Sequence, residues 1–83
     1  MTEQKKPSQT FQQLQKICSE ITGTDESEIR SSTSFFEDLG VSMEELAEIF
    51  ARTSETFNIK ISKNDVASMT TVGELLVFVE EQL

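Results

Sequence analysis

Eighty-three residues make one small domain. One cysteine (Cys18) and no histidine rule out an internal disulfide, a Cys/His zinc site and any triad that needs imidazole. Fifteen acidic against seven basic residues leave a net charge of −8, which repels nucleic-acid phosphates and anionic membranes and favours protein partners with basic patches. No apolar run reaches the length of a membrane span and no signal peptide opens the chain, so the expected setting is the cytoplasm.

Residues 1–9 are polar, carry Lys5 and Lys6 and hold the only proline, Pro7. They read as a flexible lead-in to a domain over residues 10–83. Phe11, Leu14, Ile17, Cys18 and Ile21 recur at threes and fours, which predicts a first helix over residues 10–21. Thr10 and Gln13 fit a capping box at its start, and Gly23 punctuates its end. Cys18 lies on the apolar stripe and is expected to be a small buried hydrophobe.

Residues 22–41 form a long connection with apolar anchors at Ile29, Phe35, Phe36 and Leu39. Loops of this length in a small domain are often functional. A short helical turn is expected within residues 25–30. Asp25, Glu26 and Glu28 raise calcium as an idea, but they lack the alternating ligands and central glycine of an EF-hand loop, so they read as solvated charge.

The second helix is expected over Met43–Phe57. Met43, Leu46, Ile49, Phe50 and Phe57 lie along one face, and Thr53 fills a gap in the row. Glu44, Glu45, Glu48 and Glu55 occupy the other surfaces, and Asn58 is a plausible stop. Ile59 and Ile61 then alternate with Lys60 in an extended connector. A short third helix is expected over Lys63–Ser68, N-capped by Ser62, with Val66 and Met69 toward the core. The last helix starts at Thr71, which forms a capping box with Glu74. Val72, Leu75, Leu76, Val79 and Leu83 make its stripe, and Phe78 widens it. The sum is an all-α fold: three main helices, one short helix and a long first loop.

Ser42 is where chemistry concentrates. Serine before an apolar run, with Glu45 three residues on, is an ordinary N-cap worth about 1 kcal/mol. A phosphate-linked group on the same hydroxyl would also sit well, because free amides and the helix dipole favour an anion there. The acidic face at Glu44, Glu45 and Glu48 is either solvated surface or a recognition face read together with Ser42. No enzyme chemistry is expected: Ser42 has no imidazole partner, and the carboxylates are neighbours on a helix rather than groups converging on a cleft.

Three segments carry a resemblance. Ser34-Phe35-Phe36-Glu37-Asp38-Leu39-Gly40, then Phe57 with Ile59-Lys60-Ile61, then Met69-Thr70-Thr71-Val72-Gly73-Glu74-Leu75 together resemble the acyl carrier protein family over residues 11–79. The resemblance implies a small four-helix bundle. It also implies a 4'-phosphopantetheine arm on a serine, carrying acyl intermediates of a fatty-acid or polyketide pathway as thioesters. By this resemblance Ser42 is the attachment position, which would make the chain a phosphoprotein and a monomeric carrier. Glu44, Glu45 and Glu48 are then the recognition face. The implied partners are a phosphopantetheinyl transferase and basic-patched synthases and acyltransferases. Phe50, Ile61, Val66, Leu75 and Val79 are candidate residues to line an acyl site.

The chain departs from the family at one place. The usual triplet is Asp-Ser-Leu, and here it reads Val41-Ser42-Met43. Two registers compete. Aligned without gaps, the serine slot falls on Met43, which cannot carry a phosphodiester, and Ser42 takes the aspartate's place. With Ser42 in the slot, Met43 and Leu46 supply the family's apolar residues one and four positions on. The gapless register would put Glu44 at the first of these, at the cost of burying a carboxylate. Helix period therefore favours Ser42. The missing aspartate bears on recognition by the transferase. The alternative function is a carrier-like acidic interaction module without the arm.

Overall fold

A computed structural model describes residues 8–83. Its order is α1 (Gln9–Thr22), a 3₁₀ turn (Glu26–Glu28), α2 (Met43–Phe57), α3 (Lys63–Ser68) and α4 (Val72–Gln82). This is the expected small all-α bundle with a long first loop. α1 packs against both α2 and α4. The core gathers Leu14, Ile17 and Cys18 of α1, Leu46, Ile49 and Phe50 of α2, and Val72, Leu75 and Val79 of α4. Thr53 does fill the gap in the α2 row. It is fully buried, and its hydroxyl donates to the Ile49 carbonyl at 2.7 Å, so the polar atom is satisfied inside the core.

The helix limits follow from local capping chemistry. α2, α3 and α4 each open on a reciprocal capping box, at Ser42 with Glu45, Ser62 with Asp65 and Thr71 with Glu74. α1 differs from expectation. Ser8, not Thr10, is its cap: the Ser8 hydroxyl accepts from the Phe11 amide at 3.0 Å, which leaves Thr10 inside the helix. Ser8 and Gln9 thus belong to the folded domain, while the rest of the expected lead-in, residues 1–7, lies outside the described residues.

Three apolar residues expected in the core are instead at the surface. Phe36 is 48% exposed, Met43 71% and Leu83 67%. Met43 is the first residue of α2 and Leu83 follows the last turn of α4, so both extend past the end of the bundle. Phe36 follows the buried Phe35 in a tight turn and faces the other way. Cys18 is fully buried as expected, and burial pushes its thiol up to about 12, leaving it protonated and unreactive at neutral pH.

The long loop is fastened along its length. The Gln15 amide donates to the carbonyls of Glu26 and Ile29, tying the 3₁₀ turn to α1, and Ile29 is fully buried beside it. Further on, the loop meets the start of α4. Gly73 N donates to Ser31 O at 2.8 Å, Val72 N to Thr33 O at 3.0 Å and Phe35 N to Thr70 O at 3.0 Å. A β-carbon on Gly73 would lie 2.6 Å from the Ser31 carbonyl oxygen, so only glycine permits this approach.

Two predictions follow from that junction. Gly73→Ala should destabilise by about 1–3 kcal/mol in urea unfolding, because either the loop or α4 must shift. Glu74 accepts from the Thr70 amide, the Thr70 hydroxyl and the Thr71 amide, and these bonds hold its carboxyl below the usual 4.5. The stability it contributes is complete above the unfolded value and is lost as pH falls through the lower folded value. Acidification from about pH 6 to about pH 3 should therefore lower the melting temperature of wild type more than that of Glu74→Gln. An equal loss in both would show that Glu74 does not carry this dependence.

Candidate functional site

The approach to Ser42 is built by a compact turn. Ser34 organises it: its carbonyl accepts from the Asp38 and Leu39 amides, its hydroxyl accepts from the Glu37 amide, and its own amide donates to the Asp38 carboxylate at 2.7 Å. Gly40 then reverses the chain at φ +62°, a conformation that costs a residue with a β-carbon about 1 kcal/mol or more. After the reversal, the Val41 amide donates to the Phe35 carbonyl at 3.1 Å and the Val41 side chain is buried. Phe35, fully buried, packs its ring against Phe50 of α2 at 5.7 Å between centroids. Ser42 is thus held at the surface by a buried residue one position before it.

At the start of α2 the Ser42 hydroxyl accepts from the Glu45 amide at 3.1 Å, and the Glu45 carboxylate accepts from the Ser42 amide at 2.9 Å. Two of the four amides that a helix start leaves unbonded are thereby satisfied. The other two, on Met43 and Glu44, have no protein partner among the described residues. The contrast with α4 is sharp: there the Thr71 and Glu74 amides are capped by side chains, and Val72 and Gly73 donate to loop carbonyls. The α2 terminus keeps open donors at the surface.

The three carboxylates named from sequence do not form one uniform face. Glu44 is exposed and makes no ion pair among the described residues. Glu45 is half-buried and turned back onto Ser42. Glu48 is 3.7 Å from Arg52, which also meets Glu20 of α1 at 2.9 Å. Exposed pairs of this kind contribute little to stability. The Asp25 carboxylate accepts from the Ser27 amide and so caps the 3₁₀ turn.

Beside Ser42 opens an apolar cleft of about 690 Å³ between α2 and α3. Met43 and Phe36 line it, with Phe50, Ile61 and Val66 deeper along its walls. Three of the five candidate lining residues therefore line it. Leu75 and Val79 do not: both are fully buried in the core. The alanines Ala47, Ala51 and Ala67 also face the cleft. Their role was signalled in the sequence only by small residues one turn apart on α2. α3 buries none of its six residues completely, so it covers the cleft without sealing it.

Comparison with known proteins places these features in context. Residues 12–79 match the family described as "Phosphopantetheine attachment site". The chain is 31% identical over 68 residues to the meromycolate extension acyl carrier protein of Mycolicibacterium aurum, covering 82% of this chain and 70% of that one. It is 33% identical over 67 residues to the acyl carrier protein of Chlamydia caviae, covering 81% and 87%. It is 29% identical over 69 residues to the acyl carrier protein of Rhodococcus erythropolis, covering 83% and 76%. No helix among the described residues is long and apolar enough to cross a membrane.

The cap makes a measurable claim. Ser42→Ala removes the acceptor for the Glu45 amide and should cost about 1 kcal/mol in urea unfolding, with Ser42→Gly costing only a few tenths. Equal stability of Ser42→Ala and wild type would mean that water replaces the hydroxyl without loss.

Proposed function

The chain belongs to the acyl carrier protein family, and on that premise we propose that it carries acyl groups on a 4'-phosphopantetheine arm attached to Ser42. The observation that carries this reading is the exposed Ser42 hydroxyl at the open start of α2, one residue before Met43 of the apolar cleft and inside the matched span. The arm supplies, when bound, a terminal thiol that holds an acyl group as a thioester.

The residues present fit such a group. In the cap the Ser42 oxygen serves as an acceptor, which leaves its own O–H available for a transferase to deprotonate. The open Met43 and Glu44 amides would face a phosphodiester there, and the α2 dipole favours its charge. The cleft walls at Phe50, Ile61 and Val66 would shelter an apolar chain from water. Glu44 and Glu48, with Glu45 beside them, would steer basic-patched enzymes: the transferase, synthases and acyltransferases of a fatty-acid, polyketide or related pathway. In this reading the protein is a cytoplasmic monomer and not a catalyst, and its −8 charge disfavours nucleic acid and anionic membranes as partners.

A second reading, an acidic interaction module without the arm, is favoured by one observation. Met43 and Glu44 are both exposed, so the gapless register, with Met43 in the serine slot, buries no carboxylate after all. Met43 therefore lends no apolar-face support to Ser42, and Val41 is buried where the family has an aspartate.

Intact-mass spectrometry decides between the two. Wild type and Ser42→Ala are incubated with coenzyme A, magnesium and a broad-specificity phosphopantetheinyl transferase, beside a standard carrier protein. A phosphopantetheinyl mass gain in wild type alone is expected. No gain in wild type while the standard loads, together with an unmodified mass for protein from its native host, would overturn attachment and leave the interaction module.

A further inference from the structure

We infer that Glu45 is a switch that responds to the state of Ser42: its carboxylate closes the α2 cap while the serine is bare, and it leaves the cap when the serine carries an anionic group. This rests on the reading of Ser42 as the attachment position and deepens it, because it assigns a regulatory consequence to loading.

The geometry is reciprocal and has little slack. Ser42 N–H bonds the Glu45 carboxylate at 2.9 Å, and Glu45 N–H bonds the Ser42 hydroxyl oxygen at 3.1 Å. A phosphodiester at Ser42 would make that oxygen a bridging ester oxygen and place a negative charge on the phosphoryl oxygens just beyond it, next to the Glu45 amide that now contacts the hydroxyl. The Glu45 carboxylate would then lie at close range to a like charge that the open Met43 and Glu44 amides hold at the helix start. Arg52, the basic residue of α2, is engaged by Glu20 and Glu48, and Glu45 makes no ion pair among the described residues. The covalently fixed anion cannot leave. The Glu45 side chain, half-buried on a rotatable stem, can.

The consequence is a different acidic surface in the two states. Bare, the helix presents Glu44 and Glu48 with Glu45 turned back onto the cap. Loaded, it adds the Glu45 carboxylate beside them. An enzyme that acts on loaded carrier meets one more free carboxylate than a transferase that acts on bare carrier. Because exposed charge acts chiefly on encounter, this difference would sort partners by association rate.

The test does not depend on a transferase. Ser42→Cys is labelled through its thiolate, which attacks the sulfenyl sulfur of a methanethiosulfonate, forming a disulfide and releasing methanesulfinate. Cys18 is fully buried with its thiol raised to about 12, so labelling is confined to position 42. A 2-sulfonatoethyl adduct places an anion there, and a methyl adduct is the neutral control. Both share the same substitution, so any loss of the serine cap cancels. Hydrogen exchange at the position-42 amide is expected to be about tenfold faster in the anionic adduct. In a Glu45→Gln background, where the side chain still caps but carries no charge, the difference should vanish. Equal exchange in the two adducts with Glu45 present would overturn the switch. A difference that persists in Glu45→Gln would overturn it too, by placing the effect elsewhere. Failure of Ser42 to take the arm in the mass experiment would overturn the attachment reading instead.

Discussion

The position of Ser42 depends on a short run of main-chain pairing between the first loop and the start of α4. Ser31, Thr33 and Phe35 meet Gly73, Val72 and Thr70 through three backbone hydrogen bonds. Those bonds serve both partners. They satisfy two amides that α4 could not satisfy alone, and they anchor a twenty-residue connection with no helix of its own beyond one 3₁₀ turn. Once Phe35 is pinned and buried, its carbonyl takes the Val41 amide, and Ser42 follows directly. A chain of backbone bonds thus runs from α4 to the site, and Gly73 is the point at which it is tightest.

The two helix starts at either end of that chain have opposite characters. α4 spends all its donors on protein partners and is closed. α2 leaves the Met43 and Glu44 donors open, caps itself with a hydroxyl that is also the candidate attachment point, and adjoins a cleft. The same division appears in packing. α1, α2 and α4 share the buried core, whereas α3 buries no residue completely and stands across the cleft. The shared buried core lies on the side that holds the site in place, and accessible apolar surface on the side a cargo would use.

The fold was largely legible because its helices announce themselves twice, by apolar period and by capping residues. Ser42, Ser62 and Thr71 each pair with an acid three residues on, and all three boxes form. The misses have local physical causes. Thr10 and Ser8 are both competent caps, and choosing between them depends on where the chain enters the bundle. Met43 and Leu83 have the right spacing for the core but fall at element ends, where the bundle stops covering them, and Phe36 lies in the turn after the buried Phe35. Leu75 and Val79 lie on a true apolar stripe, yet a stripe does not say whether its residues meet a helix or a cleft. Gln15, which ties the loop to α1, carries no pattern at all and becomes visible only when the Glu26 and Ile29 carbonyls are placed beside it.

Sequence alone determined the all-α class, the limits of α2 and α3 and the acidic surface, because those follow from interactions within a few residues along the chain, and it determined the family through three segments in their order. Tertiary structure decided the rest. It exposed Met43 and buried Val41, and it opened a cleft against α3 rather than against α4. Each of these is set by what lies across space from a residue, and spacing along the chain is silent on that.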